Sequence, residues 1–428
     1  MSKEGIRLGG AVSARQVSAI DRLARAAVLA RLRRLHTGRL TIVESGVEQV
    51  FGQCGEPASG DSFAATIQVK DPRFYRRVAS GGSVGAAEAY MAGYWTSPEV
   101  PALVQLMLRN RDIVEGLEGG LAIASQAWRR VQHRMRRNTT LGSRRNIAAH
   151  YDLGNEFFEL FLDRNLMYSC AVFARDDMTL EEASSAKLDR ICTKLELTPE
   201  DHLLEIGTGW GGLAMHAAAK FGCRVTTTTI SQKQYQLATR RVAEAGLSDR
   251  VTVLSRDYRD LSGQFDKLVS VEMVEAVGHK FLDTFFTVCG RLLKSNGVML
   301  LQAITIADQY YERARRSVDF IKRYIFPGSF IPSVTALCSS IARASDLRVV
   351  NLEDLTTSYA RTLAAWRDRF LANVDAVRAQ GFSDEFIRMW EYYLSYCEGG
   401  FREHYLGDVQ ILLGRPGWRQ AAAVPRWD

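Results

Sequence analysis

The sequence predicts an α/β protein: a parallel sheet wrapped by helices on both faces, carrying a helical lid insertion and preceded by a smaller α+β domain. Three observations predict it. From about residue 200, short apolar strands alternate with helix-forming stretches. One of these strands runs into a glycine-rich turn, "LLEIGTGWGG" at 203–212. The first 140 residues follow a different pattern, with a basic amphipathic helix and two isolated strand-like runs.

Taken in order, residues 16–36 place Val17, Ile20, Leu23, Ala24, Ala27, Val28, Leu32 and Leu35 near one helical face. Arg22, Arg25, Arg31, Arg33 and Arg34 occupy much of the rest, so the helix either lies on a membrane surface or packs on its own domain. "RLTIVES" and "FAATIQVK" read as strands, followed by a helical stretch interrupted by "GGSVG". The polar "NTTLGSRRN" at 138–146 reads as a linker, which assigns 1–137 to an N-terminal domain and 147–428 to the larger one.

In the larger domain "HLLEI" (202–206), "CRVTTTTI", "VTVL", "KLVSV" and "VMLLQAI" read as buried strands. "GLAMHAAAKF", "QKQYQLATRRVAEAG" and "KFLDTFFTVCGRLL" read as the helices between them. After Ile306 the alternation breaks for about forty residues rich in Tyr, Arg and Phe, including "YIFPGSFIP". An insertion at the carboxyl end of a sheet strand is where lids and substrate walls sit. "LRVVNL", long helices from 358 to 398 and "VQILL" complete the domain.

A chain of 428 residues, 46% hydrophobic, is long enough for two domains with a large core. The seven cysteines form no Cys-x-x-Cys pair and no His cluster accompanies them, so no metal site is expected. An unpatterned set of thiols suggests a reducing, cytoplasmic setting. "MSKEGIRLGG" lacks the apolar core of a signal peptide, and no apolar run approaches spanning length. The net charge of +7 equals the seven arginines lying between Gly119 and Tyr151, a segment without acids. Such a block attracts anionic lipid headgroups or nucleic acid phosphate, or is a solvated linker; the charge run alone favours the last.

The glycine loop is the most specific short motif. A strand ends at Glu205, and Gly207 and Gly209 open the turn into a helix, letting the backbone approach a ligand closely. No Lys-Ser/Thr pair follows, so this is not a P-loop. Between a dinucleotide fold and an S-adenosylmethionine methyltransferase, an acid two residues before the first glycine favours the methyltransferase, where Glu205 holds the aminoacid part of the cofactor. The second strand ends without an acid, leaving Thr229 and Gln234 as polar partners. After the third strand, Asp257 is placed to accept from an adenine amino group and Tyr258 to flank the ring. Each of these reads equally well as a cap or loop residue.

"HYDLGNEFFELFLDRNLMYSCAVF" (150–173), "LLEIGTGWGG", "TISQKQ", "VEAVGH", "YIFPG" and "SYARTLAAW" occur in the order found in cyclopropane-fatty-acyl-phospholipid synthases. The chain resembles that family over roughly 145–410. The N-terminal part is similar to the extra domain of its phospholipid-acting bacterial members. The resemblance implies a Rossmann-like class I methyltransferase domain that moves a methyl group from S-adenosylmethionine to a cis double bond in a phospholipid acyl chain. It implies Tyr168 and Ser169 toward the cofactor, and a dry chamber with Tyr168, Trp210, Phe157 and Phe158 as candidate linings, core packing being the better reading for the two phenylalanines. It also implies a bound bicarbonate as base, contacted by Cys170, Glu275, Tyr359 and the backbone around Ile304.

Two departures from the family pattern stand out. The usual acid–His pair reads Glu275-Ala276, and the histidine that contacts bicarbonate is replaced by Gln302. An amide donates a hydrogen bond but neither carries charge nor titrates near neutrality, so bicarbonate is expected to bind weakly or not at all. Cyclopropanation remains the first expectation, with a methyl- or methylene-branched product as the alternative. The expected partners are unsaturated phospholipid and the anionic inner face of the cytoplasmic membrane, touched peripherally by a homodimer. A nucleic acid methyltransferase is disfavoured because no Asn-Pro-Pro-Tyr-like motif follows the fourth strand, and no nucleic acid partner is expected.

Overall fold

The structure, a computed structural model, describes residues 18–53, 63–117, 153–420 and 422. The expected linker at 138–146 and the arginine block at 119–151 lie outside the described residues. In chain order, α1 (Ala19–Leu32) is capped by Ser18, whose side chain accepts from Asp21 N–H. The helix packs on its own domain through Val28, Leu29 and Leu32 and leaves Ile20 and Leu23 in solvent. β1 (Gly38–Glu44) and β2 (Val47–Gln53) form a hairpin. Ser45 and Gly46 both hold positive φ (50° and 80°), the geometry of a tight hairpin turn. Strand β2 was not among the expected strands, because "VEQVFGQ" carries too many polar residues to stand out.

β3 (Ala64–Val69) runs parallel to β1 and pairs with the two-residue β4 (Trp95–Thr96), giving a sheet ordered β2-β1-β3-β4. Between them α2 (Arg73–Met91) kinks at Gly82, within the expected interruption. α3 (Val100–Arg109) and α4 (Arg111–Leu117) follow.

The larger part begins with the short α5 (Asn155–Glu159) and with α6 (Leu180–Lys194), which opens on a Thr179–Glu182 capping box. β5 (His202–Ile206), α7 (Gly212–Phe221), β6 (Arg224–Thr229), α8 (Gln232–Glu244), β7 (Val251–Ser255), β8 (Phe265–Val271), α9 (Leu282–Leu292) and β9 (Leu293–Ile306) then alternate as expected. The insertion contains α10 (Asp308–Arg316), a π-helical turn at Ile321–Ile325 and α11 (Val334–Ala344). β10 (Arg348–Asp354), α12 (Thr356–Ala372), α13 (Val374–Ala379), α14 (Asp384–Arg402) and β11 (Leu406–Gly414) close the chain's described fold.

The seven strands order as β10-β11-β9-β8-β5-β6-β7. The sheet is mostly parallel, as expected, and one strand departs from it: β11 pairs antiparallel with both β9 and β10. The chain reaches β11 after three successive helices and enters from the opposite end. An apolar run buried on both faces carries no sign of its direction. α14 packs against α12 and also against α2 and α3, so the N-terminal part shares an apolar core with the larger one. Gly399 permits that approach: a Cβ there would lie 2.7 Å from Val104. Arg109 on α3 and Glu403 pair at 3.0 Å across the same seam.

Candidate active site

Parallel strands deliver their carboxyl ends to one edge of a sheet, and loops there converge on a common space. In this protein that space is a cavity of about 530 Å³. The ends of β5, β6, β8 and β9 form its floor, the insertion one wall, and α1–α3 with β1 and β3 another. All nine residues expected to meet the cofactor line it: Tyr168, Ser169, Glu205, Gly207, Gly209, Thr229, Gln234, Asp257 and Tyr258.

The glycines allow the close packing. Gly207 holds φ 108°, and a Cβ there would press on Met273 at 3.3 Å. A Cβ on Gly212, the first residue of α7, would sit 2.6 Å from Met167 Sδ and 2.7 Å from Asn165 O. The segment leading to "MYSC" therefore lies directly on the start of the helix. Asp163 pins that segment by accepting from the N–H groups of Asn165 and Met167 and from Ser184 Oγ.

Glu205 is buried, accepts from Thr227 Oγ1 at 2.6 Å, and is pushed up to about 8 by loss of solvent. A buried neutral acid that lines a cavity is poised to ionise when a cation arrives. Thr229 donates to Gln234 at 2.9 Å, so the two hold one another at the end of β6. Asp257 reaches the cavity, yet its two oxygens accept from Arg259 Nε at 2.8 Å and from an Arg259 terminal nitrogen at 2.6 Å. It also caps the short helical turn that carries Tyr258. The cap reading and the cavity reading both hold for Asp257.

Of the four residues expected at the chemistry, Glu275 and Tyr359 line the cavity, as does Ile304, whereas Cys170 and Gln302 lie beneath its surface. The Cys170 thiol points away, toward the carbonyl oxygens of Ala171 (3.1 Å) and Leu355 (3.7 Å), and burial holds it well above the usual thiol range. The expected anion contact through its S–H is corrected: Cys170 contributes its backbone N–H instead. Gln302 donates to Glu272 Oε1 at 2.9 Å and to Asp408 at 3.1 Å, and accepts from Gln410 at 3.0 Å. Glu275 Oε1 accepts from Ile304 N–H at 2.6 Å, while its Oε2 is buried without a partner. Burial, then the neighbouring Glu272, push Glu275 up to about 8. Phe157 and Phe158 are core residues, fully buried, and only Tyr168 and Trp210 of the four expected aromatics line the cavity.

Two functional side chains escaped the sequence reading. Glu272 lines the cavity and accepts from Tyr359 O–H at 2.6 Å, Cys170 N–H at 2.8 Å and Gln302. Its signal was present: an acid three residues before Glu275, just past the end of a sheet strand. Lys187 is fully buried on α6 and donates to Ser169 Oγ at 2.6 Å, fixing the hydroxyl expected to face the cofactor. Loss of solvent lowers its pKa, with Glu272 and Asp163 opposing. A lysine on the apolar stripe of a helix, between Ala183, Leu188 and Ile191, was the available sign.

Residues 138–411 match the family described as mycolic acid cyclopropane synthetase. The chain is 39% identical over 373 residues to the cyclopropane-fatty-acyl-phospholipid synthase of Escherichia coli, covering 86% of this chain and 92% of that one. It is 36% identical over 388 residues to the tuberculostearic acid methyltransferase UfaA1 of Mycobacterium tuberculosis, covering 89% and 90%. Among solved structures it is similar to mycolic acid cyclopropane synthase CmaA1 complexed with SAH and CTAB, at 35% identity and a TM-score of 0.60, over 63% of this chain and 98% of that one. With a sheet, a glycine loop and a cavity that agree, the chain belongs to the cyclopropane-fatty-acyl-phospholipid and mycolic acid cyclopropane synthase family of S-adenosylmethionine-dependent methyltransferases.

Proposed function

We propose that the protein methylates a cis double bond within a phospholipid acyl chain and closes a cyclopropane ring there. Family membership gives the broader activity, cyclopropanation or methylation of lipid acyl chains. The observation that carries the narrower reading is a single cavity. It joins the cofactor-facing loop residues to an apolar reach bounded by Leu40, Ile67, Phe74, Leu103, Phe326 and Phe330. Such a reach suits an acyl chain and offers a nucleobase few polar partners.

S-adenosylmethionine, when bound, supplies an electrophilic methyl group. Glu205, Gly207, Gly209, Thr229, Gln234, Asp257 and Tyr258 would hold it, with Tyr168 and Ser169 on its other side; Glu205, buried and poised to ionise, suits its cationic aminoacid end. An alkene is a weak nucleophile, so holding it in line with the methyl group is the main task of the cavity walls. The cation formed on the acyl chain must be kept from water. Tyr359 stacked on Phe401 at 4.3 Å, Tyr168 hydrogen-bonded to Tyr393, and Phe326 wall the cavity with ring faces that exclude water and favour positive charge.

Bicarbonate, the expected base, does not fit. Tyr359 O–H and Ile304 N–H, two donors expected to bind it, already serve Glu272 and Glu275, and the thiol of Cys170 faces elsewhere. Where Glu272 is ionised, a further anion beside it is also opposed electrostatically.

The bilayer supplies the substrate, so the reading includes peripheral attachment to the inner face of the cytoplasmic membrane, with residues 1–137 as the lipid-associated domain, and a homodimer. Exposed Ile20 and Leu23 on α1 support the attachment. Among the described residues no helix is long and apolar enough to cross a membrane. Incubation with methyl-labelled S-adenosylmethionine and monounsaturated phospholipid vesicles, followed by mass spectrometry and NMR of the lipid, tests the function. A cyclopropane is the expected product; a methyl or methylene branch assigns the alternative outcome, and label only in added nucleic acid overturns both.

A further inference from the structure

We propose that Glu272 is the base that removes the proton from the added methyl group, taking the position expected for a bicarbonate ion. The inference rests on the cyclopropanation reading and adds a catalytic residue to it. Its first support is backbone geometry. Glu272 holds φ 47°, in the left-handed region that side chains with a Cβ rarely adopt. Its N–H donates to Gln302 O at 2.8 Å, which fixes the strained peptide at the end of β8. Strain of this kind persists where the surroundings impose it, and it clusters at functional sites.

The second support is the set of donors. Oε1 accepts from Cys170 N–H and from the Gln302 amide, and Oε2 accepts from Tyr359 O–H. Three donors converge on one carboxyl group, which is how a carboxylate is held as an anion. Tyr359 is in turn fixed by stacking on Phe401. Oε2, with one partner, keeps a lone pair for a proton. Burial raises the pKa of this group, while Tyr359, Cys170, Lys187 and Gln302 pull it back. The three donors favour the anionic form, the form that takes a proton, against the loss of solvent.

The neighbours divide the roles. Glu275 accepts from backbone N–H only and is mostly neutral near pH 7, and Asp408, deeper in the same cluster, is raised well above the usual range. Of the three acids, Glu272 accepts the most hydrogen bonds on its carboxyl oxygens. In the step itself, a C–H bond of the added methyl breaks and its electron pair forms the second ring bond. The proton goes to Glu272 Oε2, and the positive charge of the acyl cation and the negative charge of the carboxylate disappear together. No external base is consumed.

The test uses the full chain with labelled S-adenosylmethionine and monounsaturated phospholipid vesicles, in buffer freed of carbon dioxide and in buffer with added bicarbonate. Wild type should turn over equally in both. Glu272→Gln should lower turnover at least about a hundredfold, with cofactor affinity within about twofold of wild type. Glu272→Gly relaxes the left-handed backbone and vacates the carboxylate's space. It should be inactive without carbon dioxide and should recover with added bicarbonate or formate. Labelled lipid from wild type that depends on bicarbonate, or that persists in Glu272→Gln, overturns the base assignment alone. No labelled lipid from wild type overturns the cyclopropanation reading together with it.

Discussion

Replacing Glu205 with Gln separates the role of this acid from that of every other group in the cavity. With its carboxyl pushed up to about 8, Glu205 is mostly protonated at pH 7 in the free protein. A cationic ligand end favours the ionised form, so binding must expel a proton. Below pH 8 the ligand's own amine, with an ordinary pKa of roughly 8, is already charged and adds nothing to the acid slope. One proton released on binding weakens affinity about tenfold for each pH unit well below 8, or roughly fiftyfold between pH 8 and pH 6. Titration calorimetry with S-adenosylhomocysteine across that range, repeated in two buffers of different ionisation enthalpy, reads both the affinity and the proton count. Glu205→Gln should bind more weakly at pH 8 and show no acid slope, because an amide has no proton to lose. Glu275 titrates in the same window, so the comparison of the two proteins, and not the wild-type slope alone, is decisive. An equal slope in Glu205→Gln would refute the assignment, as would a pH-independent wild type.

Three further outcomes are expected. Glu275, raised from 4.5 to about 8, contributes stability that is fully present below pH 4.5 and is lost as pH rises through 8; Glu275→Gln should therefore flatten the fall in apo melting temperature between pH 5 and 8, read by differential scanning fluorimetry. Glu353 is paired with Arg190 and Lys194, both buried, so Glu353→Gln should destabilise the fold by roughly 3–5 kcal/mol by removing the anion that both cations face, measured as a lower denaturation midpoint. Gly212→Ala must push the Asn165–Met167 segment off the start of α7, and should weaken cofactor binding with a stability loss of roughly 1–3 kcal/mol, whereas an unchanged affinity would show that this segment does not shape the site.

Much of the larger domain was legible because its strands are buried on both faces, which leaves short apolar runs such as "HLLEI" between helix formers. Seven of the nine residues expected at the cofactor were legible for a related reason: parallel strands put their carboxyl ends together, so loop positions after successive strands become neighbours, whereas Tyr168 and Ser169 came from the family resemblance. The less regular features were hidden. Strand β2 is polar, and the direction of β11 depends on how three helices return the chain. For Cys170 the sequence reading expected the thiol to face the cavity, and the structure turns it into the core. A thiol's direction depends on tertiary neighbours such as Leu355, far along the chain, and only the N–H of Cys170 reaches Glu272. Glu272 itself stands openly in "VEMVEAVGH", but nothing in a sequence shows that one acid of a pair is turned into the cavity on a left-handed backbone.

The departure at Gln302 and the acid at Glu272 make sense as a pair. Gln302 serves in two senses at once: its amide nitrogen donates to Glu272 and Asp408, and its oxygen accepts from Gln410. A neutral histidine in its place has one donor and one acceptor for the same partners, and a protonated one has no acceptor to offer Gln410. The amide meets these demands without a proton of its own to exchange, so titration in this corner of the cavity falls to the carboxyl groups. Burial shifts all three acids toward their neutral forms, and Glu272, the one surrounded by donors, is the best placed to take the proton. On this argument the missing histidine does not weaken the base; it marks where the base has moved into the chain.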